Sequence, residues 1–171
     1  MKGSRKLLLV SGLALSIWGM AYGLWYAVFA EHQQLVAIGA SISNSFVAGA
    51  RRDAPAAQAA LDTYQSTKFV YVRHVHIHSH WGGLATLLFL FGAIFHHVGF
   101  SERVRMLLAA SLSVGGVLYP AAIALQISMS GPLPGVLAAI GAGLVILGMT
   151  GAAVGFARGP STGTKSDGAS Q

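Results

Sequence analysis

No cysteine occurs among the 171 residues. Disulfides, thiolate-ligated zinc, iron–sulfur clusters and thioether-attached haem are thereby excluded. Charge is also scarce: Asp, Glu, Lys and Arg make up 9% of the chain, against about 25% in a soluble domain. A water-facing globule is excluded on that ground. Acidic residues number 5 and basic residues 11. The basic ones sit singly or in pairs at the ends of apolar runs, so membrane orientation accounts for them and no nucleic-acid partner is expected. No Walker loop, dinucleotide fingerprint, HExxH or nucleophile elbow is present,. Ser11, Ser16 and Ser113 have no base beside them, and the polar groups at mid-membrane depth are Thr86, Tyr119 and Gln126. A solute pathway through one chain needs more than that. On its own the chain reads as a binding module rather than an enzyme.

What the chain does have is apolar length. Leu7–Phe29 is uncharged, Trp81–Phe95 extends to about Phe100, and Met106–Ile127 and Val136–Phe156 follow. A bilayer core of roughly 30 Å takes about 20 helical residues. The expectation is an all-α, integral membrane four-helix bundle in contact with membrane lipid. Its spans are placed at 7–29, 78–98, 106–127 and 135–157 within one membrane domain, 1–171. The first run has the basic start of a signal peptide (Lys2, Arg5, Lys6). It reads instead as a retained helix, because it is too long for an h-region, lacks an A-x-A site, and carries Trp18, Tyr22, Trp25 and Tyr26 in its second half. Gly19-x3-Gly23 and Gly151-x3-Gly155 are small-xxx-small packing pairs. Pro120, after Gly115-Gly116, predicts a kink that serves packing or shapes a cofactor cavity. The Gly/Ser/Thr-rich tail, 158–171, reads as flexible and cytoplasmic.

With the N-terminus inside, the cytoplasmic side receives Lys2, Arg5, Lys6, Arg103, Arg105, Arg158 and Lys165; the other side receives Arg51, Arg52, Lys68 and Arg73. The positive-inside rule then places both termini in the cytoplasm of a multi-pass protein of the inner (plasma) membrane. The segment 31–73 becomes an extracytoplasmic helical hairpin between helices 1 and 2. Leu35, Ile38, Ile42 and Phe46 recur at helical spacing and predict a face lying on the membrane or the bundle. Asp53 before Pro55 predicts an N-cap and a second helix over Ala56–Lys68, with Arg51-Arg52-Asp53 as the turn.

Seven histidines are placed unevenly. His74, His76, His78 and His80 form HVHIHSH at the mouth of the second span, His32 follows Glu31 at the end of the first, and His96 and His97 stand at the opposite surface. If the second helix starts early, near Lys68, the four split into two i,i+4 pairs on different faces, His74/His78 and His76/His80. Imidazole ligates zinc, copper and iron, free or in haem. The metal candidates are therefore His74, His76, His78, His80, His32 and Glu31, with His96 and His97 as a secondary group at the inner face. Within this set His76, His80 and His32 are assigned to one haem b or one copper, zinc or iron ion. The ground is that Gly83, on the His76/His80 face, would admit close packing of the first helix. Glu31 would then orient an imidazole.

The stretch HVHIHSHWGGLATLLFLFG resembles the opening of helix 2 in subunit I of the haem–copper oxidase superfamily, and resembles small four-helix membrane proteins with an H-x-H motif at that place. The resemblance implies an axial haem role for one of His76, His78 or His80. Counterparts of the copper-binding histidines and of a late axial histidine are missing, which excludes a complete oxidase. A second axial ligand would come from His32 or from a partner chain. The expected function is electron transfer or metal handling at the outer face. The alternative is an accessory subunit of a larger respiratory or oxygenase membrane complex, so a membrane protein partner or a homo-oligomer is expected.

Overall fold

Five helices follow one another in the computed structural model: α1 Gly3–Phe29, α2 Glu31–Ala50, α3 Ala54–Ile94, α4 Glu102–Ser128 and α5 Leu133–Ala157, with a 3-10 turn at Phe95–His97. The structure describes residues 2–159. The flexible tail expected over 158–171 lies outside the described residues beyond Gly159. Four of the helical stretches, Gly3–Phe29, Ala54–His97, Glu102–Ser128 and Leu133–Ala157, are long and apolar enough to cross a membrane. The chain is an all-α, multi-pass membrane protein.

The hairpin between the first two spans is present and has the expected turn. Asp53 caps α3 by accepting the backbone N–H of Ala56 at 3.1 Å, and Pro55 stands in the first turn, where its missing donor costs nothing,. Arg52 closes α2 in the left-handed region (φ 56), and the Asp53 N–H reaches back to the Ala48 carbonyl, which satisfies the helix end.

The element boundaries differ from the sequence reading in two ways. Only Ala30 separates α1 from α2, and hydrogen bonds from Ala30 to Tyr26 and from Gln34 to Ala30 carry the helical ladder almost through it. The helix expected over Ala56–Lys68 and the second span, with its early start near Lys68, join without interruption into one helix of 41 residues, about 60 Å long at 1.5 Å per residue. No proline or glycine interrupts Ala56–Trp81, so nothing stops propagation. Of the two settings open to the stripe of Leu35, Ile38, Ile42 and Phe46, packing on the bundle is not the one found. Leu35, Ile42 and Phe46 are exposed and Ile38 is half-buried. The buried positions of α2 are Ser41 and Ala48, because small side chains let its backbone approach α3.

The same rule builds the bundle. Many large apolar residues point outward (Met20, Leu24, Leu90, Leu107, Leu147), and several glycines lie between helices beside a core of Leu8, Ile77, Trp81, Leu88, Phe95 and Leu112. Gly12 meets Ala85 and Leu88, Gly19 meets Trp81, Gly115 meets Gly141 and Leu144, and Gly148 meets Leu112. Lipid tails are as apolar as leucine, so burying large residues gains little and close backbone packing decides the interfaces. Both small-xxx-small pairs lie in such seams: Gly19 and Gly23 against α3, Gly151 and Gly155 against Leu108, Val98 and Phe100.

The end of the bundle that carries the N-terminus is tied by polar contacts. The Ser4 N–H donates to Glu102 Oε1 at 3.0 Å, and Arg105, buried, pairs with Glu102 at 3.1 Å. Arg5 Nε donates to the Gly92 carbonyl at 3.0 Å, and Gly99 donates to the Gly155 carbonyl at 2.8 Å. The carboxylate thus sits at the positive end of α1 and joins it to α4.

Candidate functional site

The unbroken α3 sorts its histidines by face. Packing of α1 selects one stripe of α3: His74, His78, Trp81, Ala85 and Leu88. His74 Nδ1 is hydrogen-bonded to the Tyr22 hydroxyl, and its ring stacks on Tyr26 with centroids 4.8 Å apart. His78 Nδ1 lies 3.1 Å from the Gly19 carbonyl, and the ring occupies the space a side chain at position 23 would need. A carbonyl only accepts, so Nδ1 of His78 carries the proton. Gly83, expected to meet the first helix, has nothing near it, and the α1 contacts fall on Gly12, Gly19 and Gly23 instead.

His76 and His80 project from a different face, free of α1. Their rings lie 6.0 Å apart, centroid to centroid. His80 is half-buried against α4, with its ring 4.8 Å from that of Tyr119 and its Nε2 3.4 Å from the Tyr119 hydroxyl. His76 is exposed and lines an open groove of about 430 Å³ with Tyr64, Lys68, Phe69, Val72 and Arg73. Depth agrees between the two helices. His80 precedes His97 by as many residues as Tyr119 follows Glu102, about 25 Å of helix in each case. His76 stands one turn further, about 31 Å from the same end. Those rises bracket the roughly 30 Å thickness of a bilayer's apolar core.

The remaining candidates are elsewhere. His32 is exposed in the first turn of α2, after a half-buried Glu31. His96 and His97 occupy the 3-10 turn at the opposite end, exposed, with rings 3.9 Å apart. Among the described residues no three of His, Asp or Glu assemble into a set able to hold a metal ion. The structure therefore brings His76 and His80 together without making His32 or Glu31 a third member.

Tyr119 is the neighbour that sequence reasoning left out of the site. Its signal was available: it is an ionisable group within an apolar span, at the same distance from the third helix's start as His80 is from the second helix's end. Its backbone is fixed by α5, where Gly141 lies so close that a Cβ there would come within 2.6 Å of the Tyr119 nitrogen. Pro120, fully buried, follows it in an unbroken α4. Compared with known proteins, the chain matches no family model, no curated protein and no solved structure.

Proposed function

We propose that this multi-pass membrane protein handles a metal ion, copper, zinc or iron, at the outer surface of the inner membrane, with both termini in the cytoplasm. His76 and His80 are the proposed ligands. The observation that carries this reading is the division of the four histidines. His74 and His78 are engaged by α1, while His76 and His80 share another face, on which His76 lines an open groove. Ring centroids 6.0 Å apart are a small side-chain rotation from the roughly 5 Å that two imidazoles on one tetrahedral ion adopt with metal–nitrogen bonds of about 2.0–2.1 Å,. Two imidazoles on one helix face cannot approach an iron from opposite sides of a porphyrin. A bare ion therefore suits this pair better than bis-histidine haem, which would need a histidine from elsewhere.

Titration of the purified protein with Zn(II) or Cu(II), with metal content read by mass spectrometry, tests the reading. The His76→Ala/His80→Ala double variant is expected to lose the bound ion while inserting normally, and His74→Ala is expected to keep it. Equal metal content in the double variant and the parent overturns the assignment, and a Soret band in the purified protein would return haem to first place. One observation favours the accessory-subunit reading alongside. The outward side of α2 carries exposed Leu35, Ile42 and Phe46 with no charge between Glu31 and Arg51, which suits a membrane protein partner.

A further inference from the structure

We infer that Tyr119 is a third ligand of the ion held by His76 and His80, which makes the site a two-imidazole, one-phenolate centre bridging α3 and α4. The inference rests on the metal-handling reading above and deepens it. Its carrying observation is the 3.4 Å between Tyr119 Oη and His80 Nε2. That spacing is long for a hydrogen bond between a hydroxyl and an imidazole, where about 2.7–3.0 Å is usual. It equals the separation of two ligands on one tetrahedral ion: arms of about 2.0–2.1 Å at the tetrahedral angle put their ends about 3.3–3.4 Å apart.

Two further facts hold the phenol there. The backbone of Tyr119 is pressed by Gly141 and cannot recede toward α5. Its ring lies edge-to-face on His80, so the hydroxyl is brought to the imidazole edge rather than over its face. With His76 exposed beside the groove, the fourth coordination position faces the aqueous side, the open arrangement of sites that exchange or act on a ligand,. Binding forms a metal–oxygen bond as the phenol O–H breaks, and the proton leaves to water through that open side. No electron transfer is involved. An anionic oxygen beside two neutral nitrogens at tetrahedral spacing suits a borderline divalent ion such as Zn(II) and disfavours Cu(I); Cu(II), whose own preference is tetragonal, serves as its coloured stand-in.

Cu(II) alone is the probe, added to the full-length protein in detergent. The parent is expected to show a phenolate-to-copper charge-transfer band in the visible. Tyr119→Phe keeps the ring and its packing, and is expected to lose that band and to bind Cu(II) at least ten-fold more weakly, since loss of even an outer-shell partner costs about 10–100-fold. Far-ultraviolet circular dichroism of Tyr119→Phe confirms that its fold is intact. A parent that binds Cu(II) through His76 and His80 without the band, or a Tyr119→Phe variant with unchanged spectrum and affinity, overturns the role of Tyr119 and leaves the histidine reading standing. Binding that survives His76→Ala/His80→Ala overturns both.

Discussion

A Cβ built on Gly141 would lie 2.6 Å from the nitrogen of Tyr119 and 2.8 Å from its Cα. Both are backbone atoms, so neither can swing aside. Gly141→Ala must therefore push α4 and α5 apart, and overpacking of this kind costs about 1–3 kcal/mol. The expected result is a lower thermal midpoint in detergent together with weaker Cu(II) binding, because the shift displaces the phenol from His80. Gly143 provides the control. Nothing lies near a Cβ there, so Gly143→Ala should leave both measurements unchanged. Glu102 is the second decisive residue. Its carboxylate serves the Ser4 N–H and the buried Arg105 at once, so Glu102→Ala leaves the α1 N-terminus without its acceptor and a buried guanidinium without its counter-charge, held only by the His96 carbonyl at 3.5 Å. A loss of about 1–3 kcal/mol in unfolding stability is expected, with metal binding unaffected at the opposite end. Neither position stands out in the sequence. The histidines and Tyr119 were visible as residue types out of place in an apolar chain, whereas which histidine pair meets which helix was not. A helical wheel gives angles between residues of one helix but not the direction in which that helix faces its neighbours.

At the scale of elements, the hairpin turn was legible because capping is local. Asp53 and Pro55 announce a helix start whatever surrounds them, and the structure places the cap there. The extent of α3 was not legible. Hydropathy changes near His80 as the helix enters the apolar layer, but backbone hydrogen bonding does not register that boundary,. For α2 the apolar stripe left two settings open, membrane or bundle, and periodicity does not choose between them; the structure turns most of the stripe outward and packs the small Ser41 and Ala48. The contrast gives a paired test. Ser41→Leu enlarges a residue 4% exposed at the α2–α3 seam and should open the hairpin, seen as faster proteolysis and faster amide exchange over α2,. Phe46→Ser alters a residue 75% exposed and should change stability by no more than about 0.5 kcal/mol,. If α2 docks on a partner membrane protein, the same Phe46→Ser substitution weakens that association, and co-purification from the native membrane reads it.

For the whole molecule, sidedness decides which compartment would supply the proposed ion. Among the described residues, the bundle end that holds Arg5, Arg103, Arg105 and Arg158 also holds Glu102 as its one acidic residue, and Arg105 is paired with that glutamate. Arg5 is spent on the Gly92 carbonyl and Arg158 lies over the Phe100 ring at 5.0 Å. These cations double as helix-end ligands, yet they still oppose translocation during insertion, which is when the positive-inside bias acts. The hairpin end carries Arg51, Arg52, Lys68 and Arg73 on a long segment that contains Asp53 and Asp62, and long segments translocate with less regard to charge. Both considerations support the proposal that the hairpin, His76 and His80 lie outside. The absence of cysteine makes the test clean, since one introduced thiol is the only thiol. Ala56→Cys on the exposed flank of the hairpin should react with a membrane-impermeant maleimide in intact cells. Ser101→Cys, exposed at the other end beside α4, should react only after the membrane is opened. The reverse pattern would put the His76/His80 face in the cytoplasm, and the ion would then have to come from the reducing side of the membrane, where copper is held as Cu(I) and a phenolate ligand is a poor match.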